Sequence, residues 1–210
     1  DPNMLAVLLE EQPAVVSFHF GLPELTWIKQ LQNRGIVTLA CVTSLSEAQL
    51  AIAAGVDALV AQGVEAGGHR GFFDPQQDSG LTTMDLVTQL ASFDERPIIA
   101  AGGIMTGSDV AAALNAGAAA VQMGTAFVLC PESSANAGYR ANLSRGAAVN
   151  TEITSAISGR PARGIINRAH TEIEPDNRTD IPDYPLTYDA MKQLATAAAA
   201  RGDEGYAAHW

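Results

Sequence analysis

One pattern recurs along the first 123 residues: a short apolar run, a turn, an alanine-rich segment with helical spacing, and a glycine. The apolar runs cover residues 15–20, 36–42, 57–61, 97–101 and 118–123. Short apolar runs that alternate with helices are typical of buried parallel strands joined by right-handed crossovers. The pattern therefore predicts an α/β fold built on a parallel sheet.

Local signals predict where the helices begin and end. The residues SLSE at 44–47 are typical of a capping box, and Gly55 closes the helix that follows. Thr82 or Thr83 is expected to cap a later helix, and Ser108 to cap the next one. The helices after the second, third and fourth apolar runs thus each have a start signal of their own.

The number of repeats bears on the type of sheet. About five βα units are visible, whereas a TIM (β/α)8 barrel has eight and typically about 250 residues. The chain starts at Asp1, in a helix that precedes a strand. We therefore expect a barrel whose early strands are missing from this chain, with a smaller open sheet as the structural alternative.

Charge and hydropathy argue against several classes of partner. The net charge of −11 argues against nucleic-acid binding, which needs an excess of Lys and Arg. No apolar run reaches the roughly 18 residues needed to cross a bilayer, and the N-terminus has no signal pattern, so we expect a cytoplasmic protein without a membrane partner. Asp176, Asp180 and Asp183 lie in a proline-rich polar stretch, which we interpret as a solvated loop rather than a calcium site. No metal is expected.

One histidine follows a glycine pair just after the third apolar run. His69 comes directly after Gly67 and Gly68. Ligands of α/β proteins lie outside the carboxyl ends of the parallel strands, and a histidine titrates near neutral pH. Two interpretations are equally open at this point: a functional histidine, and an ordinary loop histidine. His19 also follows a strand, and it is either a pocket residue or a core histidine.

Glycines also follow the fourth and fifth apolar runs. Gly102 and Gly103 come after the fourth, and Gly124 after the fifth. Glycine lets a phosphate approach the backbone, and barrels often build a phosphate site after neighbouring strands. In so acidic a chain, backbone N–H groups must carry much of that attraction. The dinucleotide pattern G-x-G-x-x-G is absent, so an NAD site of that type is not expected.

These residues resemble those of a known family, the FMN-dependent nitronate monooxygenases, also called 2-nitropropane dioxygenases, which are TIM barrels. The main similarities are AQGVEAGGHRG at 61–71, IAAGGI at 99–104, and VQMGT at 121–125 followed by Phe127. The weaker ones are VSFHFG at 16–21 with Pro23, SGRPARG at 158–164, and Tyr188 with Lys192. Together they cover nearly the whole chain in the family's order.

The resemblance implies a role for each matched residue. Those that would bind FMN are Gln62, Gly67, Gly102, Gly103, Gln122, Met123, Gly124 and Thr125. His69 would be the catalytic residue. The substrate pocket would be lined by His19, Gly68, Tyr188 and Lys192. Tyr139 and Tyr184 are weaker candidates.

The resemblance also implies an activity, the oxidative denitrification of alkyl nitronates such as propionate 3-nitronate. The flavin would take one electron from the nitronate to give a semiquinone, and O2 would react with the radical to yield a carbonyl compound and nitrite. The nitronate and O2 are then the small-molecule partners, and a homodimer is an open hypothesis. The family's first strands and its last segment are absent, so we expect an incomplete FMN-binding barrel over residues 1–210. A helical and loop extension over 132–210 would pack on it.

Two other functions are weighed against this one. An FMN-dependent enoyl-acyl-carrier-protein reductase shares the Gly-Gly-His loop but takes hydride from a nicotinamide nucleotide. A barrel that binds a phosphate-bearing ligand without catalysis is the third hypothesis. Replacement of His69 distinguishes catalysis from binding, because only turnover would need the imidazole.

Overall fold

The computed structural model describes residues 2–145, 150–173 and 181–210. The predictions about Asp176 and Asp180 lie outside these ranges. The chain forms two compact units, Asp1–Glu65 with Gly71–Met123 and Ala66–Arg70 with Gly124–Trp210. The predicted extension over 132–210 and its packing stay a prediction. Among the described residues, no helix has both the length and the apolarity to cross a bilayer.

The first unit is a five-stranded parallel sheet with helices between its strands. Its strands are β1 (Val15–Phe18), β2 (Val37–Val42), β3 (Ala58–Gln62), β5 (Ile98–Ala101) and β6 (Ala120–Gln122), while β4 (Gly68–His69) lies in the second unit. Its helices are α1 (Pro2–Glu11), α2 (Leu25–Gln32), α3 (Leu45–Ala54), α4 (Thr83–Phe93) and α5 (Gly107–Asn115). The strand order β1-β2-β3-β5-β6 follows the chain, and all four pairings are parallel. The predicted α/β class is confirmed.

The strand register gives the sheet two apolar faces. Ala40 lies opposite Leu59, and Leu59 lies opposite Ile98. All three belong to the main core, which also contains buried side chains of the helices. Because neighbouring residues point to opposite faces of a strand, Cys41 and Val60 belong to a separate, smaller cluster. The larger core is the one that fixes the helices on the sheet.

Most of the predicted helix ends are confirmed, and one is corrected. Ser44 accepts a hydrogen bond from the first turn of α3, and Gly55 ends that helix with the left-handed φ of 84°. Of the two threonines considered for α4, Thr82 is the cap. The prediction for α5 is wrong: Thr106 caps it, and Ser108 lies inside the helix. Thr106 has the extended backbone that a cap needs and forms a complete capping box.

The capping box predicted at 44–47 forms only in part, because Glu47 has other partners. One oxygen of its buried carboxylate accepts hydrogen bonds from the backbone and hydroxyl of Thr43, at 2.6 and 2.9 Å. The other accepts the backbone N–H of Phe73 at 2.7 Å. Glu47 therefore anchors the loop around Phe73 to the end of β2 instead of closing the box at Ser44.

The second unit contains a small antiparallel sheet that the sequence did not predict. Its strands β4, β7 (Thr151–Thr154) and β8 (Ala162–Ile165) lie in the order β4-β8-β7. Its helices are a 3-10 turn (Thr125–Phe127), α6 (Ala137–Ser144), a π-helical turn (Ala169–Ile173) and α7 (Leu186–Ala199). Tyr188 and Lys192 both lie on α7. An apolar cluster of Ile157, Ala169 and Met191 forms the unit's core.

Asp57 connects the start of β3 to β2 and α2. Its carboxylate accepts hydrogen bonds from the backbone and hydroxyl of Thr38, both at 2.7 Å, and from the amide of Gln32 at 3.0 Å. Partial burial raises the pKa of Asp57, but these hydrogen bonds, together with attraction to Arg96, outweigh it and lower the pKa below the ordinary value. The stability that Asp57 contributes is therefore fully present above the unfolded pKa of about 4 and is lost as the pH falls through the lower folded pKa.

We expect Asp57→Asn to lower the free energy of unfolding at neutral pH by about 1 kcal/mol, allowing for solvent screening of this exposed side chain. Urea unfolding at pH 7 and pH 3 measures the effect, and the difference between the two pH values should be smaller in the variant than in the parent protein. Glu95→Gln removes an exposed carboxylate of the same unit and serves as the control. An equal loss in both variants would contradict the role given to Asp57.

Candidate functional site

The predicted site residues of the first unit lie where its strands end. These residues are His19 after β1, Gln62 at the end of β3, Gly102 and Gly103 after β5, and Gln122 and Met123 at the end of β6. The carboxyl ends of parallel strands lie at the same edge of a sheet. The first unit therefore presents these predicted residues along one edge, which is the edge where α/β proteins bind ligands.

Gln62 is held in place by the backbone that follows the Gly-Gly-His motif. Its side-chain oxygen accepts the N–H of Gly71 at 2.7 Å. A Cβ added to Gly71 would lie 2.5 Å from Sγ of Cys41, so the position leaves no room for a side chain. The hydrogen bond to Gly71 thus fixes the position of the Gln62 amide at the end of β3.

The glycine pair after β5 forms a turn that few other residues would allow. Gly102 and Gly103 have φ angles of 114° and 69°. A Cβ added to Gly103 would lie 2.9 Å from Cβ of Glu65. The carboxylate of Glu65 in turn accepts the backbone N–H and the hydroxyl of Thr83 at 2.9 and 3.1 Å. The exposed backbone at Gly103 is thus fixed by Glu65 and by the start of α4.

His69 lies in the second unit, on β4, surrounded by aromatic rings. The ring centroids of Tyr184, Trp210 and Tyr188 lie 5.5, 5.6 and 6.2 Å from that of the imidazole. The ammonium of Lys192 lies 4.2 Å from the centre of the Tyr188 ring. The second unit thus brings together three predicted residues, His69, Tyr188 and Lys192.

The surroundings of His69 favour its neutral form. Burial, and then the positive charge of Arg160, lower the pKa of His69 below its ordinary value near 6.5. Its Nε2 lies 2.8 Å from Oγ of Ser158. At neutral pH the imidazole is therefore unprotonated at one nitrogen and can accept a proton.

Two of the predicted cofactor residues meet in the second unit. A Cβ added to Gly67 would lie 2.8 Å from Oγ1 of Thr125 and 3.3 Å from the carbonyl carbon of Trp210. At Gly124, an added Cβ would meet no described atom within 4 Å. The backbones of Gly67 and Trp210 therefore approach each other closely. Gly124, in contrast, has open space beside it at the start of the 3-10 turn.

Not every predicted pocket residue is brought to His69. His19 belongs to the first unit, where its Nε2 lies 3.4 Å from Oγ of Ser17 and partial burial lowers its pKa. Its role in the pocket stays a prediction. Conversely, Ser158 and Trp210 contact His69 although neither was selected from the sequence, and Tyr184 was only a weaker candidate. The SGRPARG similarity at 158–164 was the one signal near Ser158.

Comparison with curated proteins gives a consistent family assignment. The family model described as nitronate monooxygenase matches residues 1–210. A protein named nitronate monooxygenase from Pseudomonas aeruginosa is 54% identical over 211 residues, covering 100% of this chain and 60% of that protein. One of the same name from Paraburkholderia phytofirmans is 55% identical over 212 residues, covering 100% of this chain and 58% of that protein.

Solved structures agree with the sequence matches. A nitroalkane oxidase from Streptomyces ansochromogenes superposes with a TM-score of 0.89 at 40% identity, over 98% of this chain and 59% of that one. FabK from Thermotoga maritima superposes with a TM-score of 0.77 at 31% identity, over 99% of this chain and 63% of that one. The chain thus spans about three fifths of the length of these relatives, and the predicted α/β barrel class is confirmed.

Proposed function

The chain belongs to the nitronate monooxygenase family, and on that premise we propose that its protein oxidises alkyl nitronates with O2 to a carbonyl compound and nitrite, using FMN. Because the chain spans about three fifths of its relatives, the proposal concerns the protein of which it is part. The observation that carries it is the position of His69 among Tyr184, Tyr188 and Trp210, directly after the matched Gly-Gly motif. Propionate 3-nitronate is the substrate we would test first.

The glycine positions fit a cofactor that ends in a phosphate. The turn at Gly102 and Gly103 exposes backbone in a conformation that disfavours side chains, and Gly124 has open space beside it. With a net charge of −11, attraction for a phosphate must come mainly from backbone N–H groups, and these glycines expose them. We propose that this set holds FMN together with Gln62, Gly67, Gln122, Met123 and Thr125. When bound, the flavin supplies the one-electron redox chemistry that side chains lack.

The side chains of the second unit handle the substrate. Neutral His69 accepts a proton from the carbon acid, or hydrogen-bonds the anionic nitronate once that proton is lost. The rings of Tyr184, Tyr188 and Trp210 partly shield the imidazole from water, and Lys192 supplies positive charge for an anion. Burial keeps His69 neutral, which a proton acceptor requires.

Two measurements test this function. Mass spectrometry of the ligand released from purified protein should identify FMN. Propionate 3-nitronate should then cause oxygen consumption and nitrite release without NADH. NADH-driven reduction of an enoyl thioester without nitrite release would support the reductase instead, and bound FMN with neither reaction would support a binding barrel. Cytoplasmic location and a homodimer stay predictions.

A further inference from the structure

We propose that Ser158 is a positioning residue that fixes the tautomer of His69, holding a proton on Nε2 and leaving Nδ1 as the basic nitrogen. The importance of this for turnover rests on the function proposed above, in which His69 acts on the substrate. The tautomer itself is a property of the chain and can be measured separately.

The hydrogen count at Ser158 carries the inference. Its Oγ lies 2.8 Å from the carbonyl oxygen of Arg160, which can only accept, so the single hydroxyl proton of Ser158 is donated there. The backbone N–H of Arg160 donates to the same Oγ at 3.2 Å. The remaining neighbour, Nε2 of His69 at 2.8 Å, must then donate its own proton. If the Ser158 hydroxyl instead donated its proton to Nε2 of His69, its Oγ and the carbonyl oxygen of Arg160 would lie 2.8 Å apart with no hydrogen between them.

The backbone on both sides keeps this arrangement in place. In the register of β4 with β8, His69 lies opposite Ala162, and the N–H of Arg70 donates to the carbonyl of Pro161 at 2.9 Å. On the other side, Gly159 turns with a φ of 80° and donates its N–H to Ser155 at 2.8 Å. Ser158 is fully buried, so its hydroxyl cannot turn to solvent for another partner.

The imidazole is also restricted from turning over. Three aromatic rings lie within 6.2 Å of its centroid, so exchange of the two nitrogens by a ring flip requires Tyr184, Tyr188 or Trp210 to move. The two nitrogens therefore keep separate roles: Nε2 anchors the ring to Ser158, and Nδ1 is the nitrogen that gains a proton. An acceptor on one nitrogen is a general way of setting the basicity of the other.

The test is a long-range proton–nitrogen correlation spectrum of the purified protein labelled with 15N-histidine, at a pH where His69 is neutral. The signals of His69 are identified by their loss in His69→Gln. We expect them to show a protonated Nε2 and an unprotonated Nδ1. A protonated Nδ1 in the unmodified protein would overturn the proposal, and no variant of Ser158 is needed to see it.

Variants distinguish the effect of the Ser158 hydroxyl on the tautomer from the effect of other changes near histidines. Ser158→Ala removes the acceptor and should give a mixture of tautomers at His69, whereas Ser158→Thr keeps a hydroxyl and should restore the Nε2–H form. Ser17→Ala removes a different Ser–His contact and should change only the signals of His19. An unchanged tautomer in folded Ser158→Ala would also overturn the proposal.

Turnover gives a second result that can be told apart from the first. In FMN-loaded protein, we expect Ser158→Ala to lower kcat/KM for the neutral nitroalkane that gives propionate 3-nitronate by at least about tenfold at unchanged FMN content, because an imidazole with its proton on the wrong nitrogen cannot accept the proton of the substrate. Loss of the tautomer without any loss of turnover would overturn the positioning role. Nε2–H at His69 in a protein without nitronate turnover would refute the proposed function and leave the role of Ser158 supported.

Discussion

Replacing His69 with alanine is expected to lower kcat/KM for a neutral nitroalkane, whose carbon-bound proton must be removed to give the nitronate, by about 100-fold or more, with bound FMN unchanged. The side chain is the titratable group at the centre of the aromatic cluster, and burial holds it in the form that accepts a proton. Other residues are proposed to hold the cofactor, so removal of the imidazole should spare flavin binding. Steady-state oxygen consumption and the flavin absorbance of the purified variant measure the two quantities.

The pH dependence of the unmodified protein adds a second observation for His69. Because burial and Arg160 lower its pKa, the neutral imidazole should persist below pH 6.5. The kcat/KM for a neutral nitroalkane should fall only at lower pH, as His69 becomes protonated and can no longer accept the proton of the substrate. That acid limb should be missing from the residual activity of His69→Ala. His170→Gln changes another histidine of the second unit and should keep the limb. Turnover of His69→Ala equal to that of the parent protein would remove His69 from the mechanism.

Gly63→Ala is expected to cost about 3 kcal/mol of unfolding free energy or more, because the new methyl group has nowhere to go. It would lie 2.1 Å from Oγ1 of Thr83 and 2.2 Å from its backbone nitrogen. The hydroxyl can rotate, but the nitrogen belongs to the first turn of α4, which packs in the main core through Leu86. The end of β3 and the start of α4 must therefore move apart, and the contact of Glu65 with Thr83 breaks.

Thermal unfolding measures this effect. A loss of 3 kcal/mol corresponds to a fall in Tm of about 6–12 °C for a chain of this size. Gly107→Ala is the matched control, since no described atom lies within 4 Å of its added methyl group and it lies at the exposed start of α5. That change should leave Tm unchanged or raise it slightly. Equal Tm values for the two variants would refute the close packing at Gly63.

The sequence predicted the parallel part of the fold because its signals are local. The apolar runs gave the five strands, and Ser44 and Gly55 gave the ends of α3. Ser108 was chosen over Thr106 wrongly because both are good capping residues, and only the extended backbone at Thr106 decides between them. The strands β4, β7 and β8 were missed because they are short, contain glycine, threonine and charged residues, and form only by pairing with one another.

The candidate site could likewise be predicted only where its signals are local in the sequence. His69 could be selected because glycines and a strand end stand beside it in the sequence. Its partner Ser158 is 89 residues further along the chain, and Trp210 is more distant still. Contacts of that kind depend on strand register and on the turn at Gly159, neither of which leaves a local pattern. Tyr184 and Tyr188 could be ranked only after α7 had placed them next to the imidazole.

The assignment of Ala66–Arg70 to the second unit limits how this protein can be divided. A fragment that begins at Gly124 would keep β7 and β8 but lack β4, which contains His69. It would also lack the backbone N–H of Arg70, which donates to the carbonyl of Pro161. Ser158 would remain, with no histidine to orient. Chimeras between relatives should therefore exchange residues 66–70 and 124–210 from one parent, since a single crossover point would combine a histidine with a serine loop that did not evolve beside it.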